Sequence, residues 1–372
     1  MDKTATDIAV SAASASAGGM DLPFTVPGHG VREEADVVYA RVRGHWSEAP
    51  VGKPFHTLLR AIRTLRTRPL DLKMDIYSPA DCPAVAEAAQ ADPSGAVSKA
   101  GALAEAAQAD PSGASESLDE APAAGRPLLL MMHGGSFLFG NRKEAGQAAW
   151  CRHFAALGYV AASIDYRLGF LPTRRGLQKA EQDATADAAR ALQYLLGRTD
   201  LRVDPQRVFL AGTSAGAIIA LNLAYGVCPD PGGEMADQVG HDAFAAGHNA
   251  AVASVGSPLR IRAVGDFWGY VRDLRMLDNA RVPILAFQSE HDPVVPFDRG
   301  YPIKAKLFSS EVYGTKATTE KARQNGIPAE LHACPEKHHR LHLDRENQLT
   351  PRFYEIRDTM ARFFARAMAD LL

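Results

Sequence analysis

Residues 208–219 read "VFLAGTSAGAII", and this stretch decides the fold. Its first three residues form an apolar run that is typical of a buried strand, and residues 215–225 are rich in helix-forming residues. Ser214 lies at the junction, with Gly212 and Gly216 two positions away on either side. A tight strand-to-helix turn strains its central residue and leaves no room for flanking side chains, so glycine favours such a turn. The spacing predicts an exposed hydroxyl at a helix N-terminus, although a serine helix cap beside two turn glycines gives the same short pattern.

Apolar runs and helical segments alternate along the rest of the chain. Further strand-like segments occur at residues 36–46, 70–77, 127–132, 159–166, 260–269, 282–292 and 329–335. Further helical segments occur at residues 148–158, 181–197, 313–326 and 351–372. This alternation predicts an α/β fold with a mostly parallel central sheet and helices on both faces. In such sheets, functional groups gather in the loops beyond the carboxyl ends of the strands.

One predicted strand has a clear two-residue period. Residues 70–77 read "LDLKMDIY", in which apolar side chains alternate with a second set that includes Asp75 and Tyr77. This alternation predicts a half-buried strand with the second set on its polar face.

Two segments differ in composition from the rest of the chain. Residues 1–35 begin with a segment of mostly small residues that lacks the apolar core of a secretory signal. We expect them to form a disordered N-terminal tail. The segment "AEAAQADPSGA" occurs at 86–96 and again at 104–114, within a stretch of small and polar residues at about 80–125. Such a stretch cannot bury enough surface to offset its ordering entropy, so we predict a flexible surface insertion. The remainder, residues 36–372, is expected to form a single domain.

Charge and hydrophobicity limit the classes of partner. Of the 372 residues, 46% are hydrophobic and 23% are charged, with a formal net charge of −2. This balance gives no electrostatic reason to expect nucleic acid as a partner, and no apolar run approaches the roughly 20 residues that span a bilayer. The four cysteines are scattered without a CxxC pair, which favours a reducing compartment. Without a clear signal peptide, we expect a cytoplasmic protein.

Reactive side chains follow four of the predicted strands. The sequence "HGGS" at 133–136 follows one strand, Ser214 follows another, and Asp292 follows a third. His338 and His339 follow the last one. Because the carboxyl ends of parallel strands meet at one edge of a sheet, we expect a hydroxyl, a carboxylate, an imidazole and a glycine-rich loop to lie together.

From about residue 125 to 345 the chain resembles the α/β-hydrolase superfamily, and most of all its carboxylesterases and hormone-sensitive-lipase-like esterases. The resemblance rests on "HGGS" at 133–136, "DYRL" at 165–168, "DPQRVFLAGTSAG" at 204–216, "HDPVVP" at 291–296 and "CPEKHHRLH" at 334–342. The combination and its order are more specific than any one motif. It implies an α/β-hydrolase fold and a serine hydrolase that cleaves a small-molecule carboxylic ester through an acyl-enzyme, with no metal or cofactor.

The resemblance also implies a role for each motif residue. Ser214 would attack the acyl carbonyl, His339 would take and return its proton, and Asp292 would orient the imidazole. The oxyanion would be bound by the backbone amides of three residues: Gly135, Ser136 and Ala215. Two residues of the same loop would support it: His133 and Gly134. Relatives often have glycine where this chain has Ser136, but its backbone amide is retained.

Alternatives remain for the histidine and the acid. The usual ending of strand, turn and histidine, laid beside "AELHACPEKHHRL", favours His339 as the base. Relatives often have glycine where this chain has His338, and a one-residue shift would exchange the two histidines. Glu290 is the alternative to Asp292, which the following "PVVP" turn favours. A metal site in "HHRLH" is disfavoured because no cysteine or glutamate signature accompanies these histidines. Two acids of the helix at 181–197 are expected at the surface or as caps: Asp183 and Asp187.

The sequence says less about the substrate and the class of function than about the three residues Ser214, His339 and Asp292. A serine peptidase, an amidase or a lipase would use the same three residues, and a noncatalytic binding protein on a hydrolase scaffold usually lacks one of them. Residues 226–257 and 298–328 are candidates for a cap over an acyl pocket. Four apolar side chains either line that pocket or pack beneath the loops: Phe137, Phe139, Phe170 and Leu171. The sequence predicts no oligomeric state.

Overall fold

The computed structural model describes residues 30–48, 67–80, 125–226, 259–304, 306 and 309–372. Most of the expected tail, nearly all of the duplicated insertion and the first candidate cap segment lie outside these residues.

The regular elements of the described residues follow the predicted alternation of strands and helices. The strands are β1 (Val31–Gly44), β2 (Arg68–Pro79), β3 (Arg126–Met132), β4 (Val160–Ile164), β5 (Val203–Thr213), β6 (Ile261–Phe267), β7 (Tyr270–Val271), β8 (Ile284–Ser289), β9 (Arg299–Gly300), β10 (Val312–Gly314) and β11 (Ala329–Cys334). The α-helices are α1 (Ala145–Ala156), α2 (Arg174–Gly197), α3 (Ala215–Tyr225), α4 (Thr315–Gln324) and α5 (Pro351–Met368). No helix among them has the length and apolar character needed to span a bilayer.

Eight strands form one sheet in the order β1-β2-β4-β3-β5-β6-β8-β11. Neighbours from β4 to β11 run parallel, whereas β2 is antiparallel to both β1 and β4. The mostly parallel sheet is therefore confirmed. Since β2 runs opposite to β3, the C-terminal end of β2 lies at the edge of the sheet where β3 begins. The carboxyl edge, where β3, β5, β8 and β11 end, is the opposite one.

Central strand β3 explains why helices cover both faces. Its side chains from Leu128 to Met132 are fully buried. Leu128, Leu130 and Met132 join the apolar cluster that includes residues of α2 and α3. Leu129 and Met131 point the other way, into the cluster that contains residues of α1 and α5. A run of apolar residues without alternation thus packs one layer of helices on each side of the sheet.

The ends of several elements differ from those that the sequence predicts. Strand β1 begins at Val31, so residues 31–35 belong to the sheet and not to a disordered tail. Helix α2 begins at Arg174 and not at 181, because the side chain of Thr173 caps it by accepting a hydrogen bond from Gly176 at 2.9 Å. The short strands β7, β9 and β10 form a separate three-stranded sheet that the sequence did not reveal.

Three side chains that the sequence places on a polar face or at the surface are buried. On β2, Asp75 and Tyr77 are 2% and 1% exposed, and the guanidinium of Arg142 binds Asp75 at 2.9 Å. On α2, Asp187 is fully buried, because it receives two hydrogen bonds from the guanidinium of Arg167, at 2.8 and 2.9 Å. The predicted alternation holds at the start of β2, where Leu70 and Leu72 are buried and Asp71 is exposed, but from Met74 onward both faces are buried. The expectation of a surface or capping Asp187 was wrong, because its carboxylate pairs with the partly buried guanidinium of Arg167.

The second candidate cap segment belongs in large part to the body of the fold. Within residues 298–328, helix α4 packs Ala322 against the sheet in a cluster with Ile284 and Ala286 of β8. Ile327, just after the helix, joins the same cluster. This part of the segment covers the sheet and is not a cap.

Candidate active site

Ser214 occupies the sharp turn between β5 and α3. Its backbone has φ 52° and ψ −116°, a strained conformation for a residue with a side chain. A Cβ at Gly216 would collide with the backbone oxygen of Met132, and one at Gly212 would collide with the backbone of Gly216. The turn therefore requires both glycines. The serine does not cap the helix through its side chain, and it is only 7% exposed, so its hydroxyl is enclosed and not exposed as predicted.

The structure brings Ser214, His339 and Asp292 into one hydrogen-bonded row. Nε2 of His339 lies 2.8 Å from Oγ of Ser214. Nδ1 of His339 lies 2.8 Å from Oδ2 of Asp292 and 3.0 Å from Oδ1. The carboxylate is fully buried and the imidazole side chain is 14% exposed. One ring nitrogen thus faces a hydroxyl and the other a carboxylate, which is the geometry needed to pass a proton from serine to imidazole.

Asp292 is itself held by the loop in which it lies. Its Oδ1 accepts hydrogen bonds from the backbone amides of Val294 at 2.8 Å and Val295 at 3.1 Å. The side-chain amide of Gln288 donates to Oδ2 at 3.2 Å. Gln288 was not identified from sequence, although a glutamine that directly follows the apolar run 284–287 of β8 is the signal that marks it. These donors fix the plane of the carboxylate against the imidazole of His339.

The alternative acid and the alternative histidine lie apart from this row. Glu290 and His338 are exposed, and it is their neighbours Asp292 and His339 that meet. Across the described ranges, no group of three or more histidine, cysteine, aspartate or glutamate side chains is arranged to hold a metal ion.

The glycine-rich loop after β3 packs directly against the nucleophile turn. A Cβ at Gly134 would lie 3.0 Å from the backbone oxygen of Thr213 and 3.3 Å from Cβ of Ser214. Gly135 has φ +122°, and its carbonyl accepts hydrogen bonds at 2.9 Å from two amides further along the loop, those of Leu138 and Phe139. The loop is therefore a tight turn whose backbone approaches Ser214.

The backbone conformation at residue 136 is one that glycine adopts more easily than serine. Ser136 has φ +54°, in the left-handed region that favours glycine, and Phe137 follows with φ +59°. The amide of Ala215 lies ahead of the first i→i−4 bond of α3, which Ile218 makes to the carbonyl of Ser214. The three amides proposed for an oxyanion thus lie at a strained turn and at a helix N-terminus.

His133 braces the loop and is not available as a base. Its side chain is fully buried, its Nδ1 lies 2.6 Å from the carbonyl oxygen of Gly134, and its ring stacks on Tyr166 at 4.3 Å. The hydroxyl of Tyr166 donates to the carbonyl of His133 at 2.7 Å. Burial lowers the pKa of His133 to about 4, so the ring is neutral near neutral pH. Tyr166 was not identified from sequence as a partner, although it stands in the "DYRL" motif.

The four apolar side chains near the loop have different surroundings. Phe137 is 1% exposed and belongs to the apolar core. Phe139 and Phe170 are partly buried and pack against that core. Leu171 is 52% exposed. Packing beneath the loops therefore describes Phe137 and not Leu171, while the lining of an acyl pocket stays a prediction.

Comparison with solved structures identifies the same architecture. A family model described as an alpha/beta hydrolase fold matches residues 129–250. Thermogutta terrifontis esterase 2 phosphorylated by paraoxon aligns with a TM-score of 0.50 and 17% identity, covering 93% of this chain and 96% of that one. The same esterase phosphoramylated by tabun aligns with a TM-score of 0.50 over 95% and 99%. At this identity the likeness is one of fold.

Curated relatives match over shorter segments. Gut esterase 1 of Caenorhabditis elegans is 29% identical over 94 residues, which are 24% of this chain and 17% of that protein. The gibberellin receptor of Oryza sativa subsp. japonica is 33% identical over 114 residues, or 29% of this chain and 30% of the receptor. The non-reducing polyketide synthase pkbA of Emericella nidulans is 36% identical over 102 residues, which are 4% of the synthase. The chain thus spans only a small part of the length of these relatives.

Proposed function

The chain is an α/β-hydrolase-fold protein, and from this premise we propose that it is a serine-dependent hydrolase of carboxylic esters that works through an acyl-enzyme on Ser214. The observation that carries the proposal is the row of short hydrogen bonds from Ser214 through His339 to Asp292. The similarity of one segment to a gut esterase supports the ester as substrate class.

In the proposed reaction, Oγ of Ser214 attacks the acyl carbonyl while Nε2 of His339 takes its proton across 2.8 Å. The tetrahedral intermediate collapses, the C–O bond to the alcohol breaks, and the imidazolium gives the proton to that leaving group. Water then attacks the acyl-enzyme with the same histidine as base, which releases the acid and restores the serine. Asp292 keeps the Nδ1 proton in place and stabilises the imidazolium.

The oxyanion of each tetrahedral intermediate would be bound by the backbone amides of Gly135, Ser136 and Ala215. They lie in the loop that packs against Ser214 and in the first turn of α3. The N-terminus of a helix also favours negative charge. Removing one such donor typically costs about 100-fold or more in rate. The mechanism needs no metal or cofactor.

A noncatalytic ligand-binding role is the second candidate. The observation that favours it is the 33% identity of a 114-residue segment to a gibberellin receptor. An intact serine, histidine and carboxylate at hydrogen-bonding distance is the observation against it, because a receptor has no need of that row. A peptidase, an amidase or a lipase would keep the same residues and differ only in substrate.

The test is initial-rate hydrolysis of p-nitrophenyl esters from acetate to palmitate by the wild type and Ser214→Ala. We expect the variant to lose activity by at least about 10⁴-fold. Ser78→Ala is the matched control, a buried serine on β2 near the opposite edge of the sheet, and should keep wild-type rates. The chain-length profile separates a carboxylesterase from a lipase.

Labelling with a fluorophosphonate completes the test. The wild type should be labelled at Ser214 and the alanine variant should not. A wild type that hydrolyses none of the esters and takes up no label would overturn the esterase proposal in favour of a binding protein.

A further inference from the structure

A second histidine lies behind His339, and the proposed mechanism does not use it. The side chain of His342 is 1% exposed, and neither of its ring nitrogens makes a hydrogen bond of normal length. Two indoles pack on its ring, that of Trp150 with centroids 5.3 Å apart and that of Trp268 with centroids 5.2 Å apart. A polar ring enclosed by apolar groups is costly unless a polar partner faces it.

That partner is the carboxylate of Glu144, the residue before α1. Its Oε1 lies 3.4 Å from Nε2 of His342 and 3.5 Å from the guanidinium of Arg340. Burial works to raise the pKa of Glu144, but the charges of His342 and Arg340, with a smaller effect of His133, outweigh burial and lower the pKa below its ordinary value. The carboxylate thus faces the residues one and three positions after His339.

The backbone is shaped to permit this approach. A Cβ at Gly146 would lie 2.5 Å from Cδ2 of His342, so a larger residue there would displace the imidazole. The carbonyl of Glu144 accepts a hydrogen bond from Ala148 at 3.0 Å, which ties Glu144 to the first turn of α1. The carbonyl of His342 accepts one from Thr350 at 3.1 Å. Both members of the pair are therefore anchored by their backbones.

Trp268 links this pair to the reacting groups. Its indole stands edge-on to the ring of His339, with centroids 6.4 Å apart, and it also contacts His342. Trp268 is fully buried at φ +53°, a conformation that a bulky residue keeps only when its surroundings hold it there. The carbonyl of the preceding Phe267 accepts the amide of Ser214 at 2.8 Å. The strained residue thus lies between the nucleophile turn and both histidines.

We propose that Glu144, His342 and Trp268 are positioning residues that hold the imidazole of His339 within hydrogen-bonding distance of Ser214. Glu144 and His342 anchor the loop that carries His339, and the indole limits the tilt of its ring. The rate effect of this trio rests on the proposed ester hydrolysis, whereas its effect on the geometry of His339 does not.

The test compares Glu144→Ala with Glu144→Gln, which keeps an oxygen acceptor for the N–H of His342. Glu330→Ala is the matched control, because Glu330 also faces a histidine and an arginine but lies at the start of β11. Active-site titration with a fluorophosphonate counts the competent sites, so kcat is expressed per titrated site. The far-downfield proton resonance of the His339–Asp292 hydrogen bond is recorded for each protein.

We expect Glu144→Ala to lower kcat per titrated site by about 10- to 100-fold with KM changed less than about 3-fold, because misplacing a catalytic group by about 1 Å costs on the order of 100-fold. The resonance should shift or broaden. Glu144→Gln should recover most of the rate, and Glu330→Ala should match the wild type. If Glu144→Ala does not fold, Trp268→Phe is expected to give the same loss of kcat at constant KM.

The proposal would be overturned if Glu144→Ala kept the wild-type kcat per titrated site and an unchanged resonance. It would also be overturned if the variant lost activity only in proportion to a smaller number of titrated sites. If the wild type itself hydrolyses no ester, the proposed function has failed. The resonance then still decides whether Glu144 and Trp268 position His339.

Discussion

Asp292 meets His339 through both carboxylate oxygens, while two backbone amides and one side-chain amide hold it from the other side. Such a carboxylate selects one imidazole tautomer, the one with its proton on Nδ1 and a free lone pair on Nε2 towards Ser214. Under the proposed mechanism, the reactivity of Ser214 therefore depends on the identity of a carboxylate that it does not touch.

Asp292→Asn tests this dependence. An amide nitrogen facing Nδ1 would favour the opposite tautomer, so we expect kcat to fall by roughly 10⁴-fold with little change in KM. Initial rates on a p-nitrophenyl ester give both constants. Glu290→Gln, two positions away and exposed, is the control and should keep its rate. A greater loss in that control would assign the acid to Glu290.

Asp266 provides a second residue-scale prediction, for stability. It is fully buried, its Oδ1 accepts the amide of Gly269 at 2.8 Å, and its Oδ2 is buried without a partner. Burial raises its pKa to about 7 from an ordinary value of 3.8. Between these two pH values the native state holds a proton that the unfolded chain releases. The stability that the protonated carboxyl contributes is therefore fully present below about pH 4 and is lost as the pH rises to about 7.

Asp266→Asn should remove this dependence, because an amide does not ionise and keeps the acceptor for Gly269. Relative to the wild type, the free energy of unfolding of the variant should increase as the pH rises from 5 to 8. Summed over the interval between the two pKa values of Asp266, the increase is on the order of 4 kcal/mol. Urea unfolding at four pH values measures the difference, with Asp71→Asn on the exposed part of β2 as control. A difference that stays constant with pH would show that Asp266 remains ionised in the native state.

At the scale of elements, the turn from β5 to α3 packs so closely that it has no room for a side chain at Gly212 or Gly216. Gly216→Ala would drive a methyl group into the backbone of Met132, so we expect a loss of more than about 3 kcal/mol in the free energy of unfolding. Gly197→Ala is the matched control, since a Cβ at this last residue of α2 meets nothing within 4 Å. Its unfolding free energy should change by less than about 1 kcal/mol. Equal urea midpoints for the two variants would contradict the steric account.

The same turn indicates what sequence can predict. Helix α3 begins and ends where its composition indicates, because the nucleophile turn is a local feature set by glycine spacing. The meeting of Ser214, Asp292 and His339 could be predicted because each follows a predicted strand of a parallel sheet. The start of α2 was missed because a single Thr173 cap extends a weakly apolar first turn, and β7, β9 and β10 are too short to leave a pattern.

The supporting side chains of the site could not be found in this way. Tyr166 and Glu144 contact residues of distant segments, His133 and His342, and no spacing in the chain records such contacts. Asp187 was misplaced for the same reason, because its partner Arg167 lies 20 positions away on another segment.

At the scale of the whole molecule, the direction of β2 decides where the duplicated insertion joins the fold. Residue 80 follows the end of β2 and residue 125 precedes β3, and these two strand ends lie at the edge of the sheet opposite the carboxyl edge. Deleting residues 86–114 should therefore leave ester hydrolysis within about 2-fold of the wild type, as expected for tolerated changes in a surface connection. Initial rates and the urea midpoint check this, and a collapse of either would mean that the segment contributes to the site or to the core.

Ser214 and His339 are 125 positions apart in the chain. The serine turn needs only β5, α3 and the neighbouring strands, whereas its base arrives with the loop after β11, and α5 alone follows among the helices described. In a chain made from its N-terminus, the hydroxyl of Ser214 therefore lies without this imidazole until β11 has joined β8. Under the proposed mechanism, completion of the sheet is the step that would turn an inert alcohol into a nucleophile.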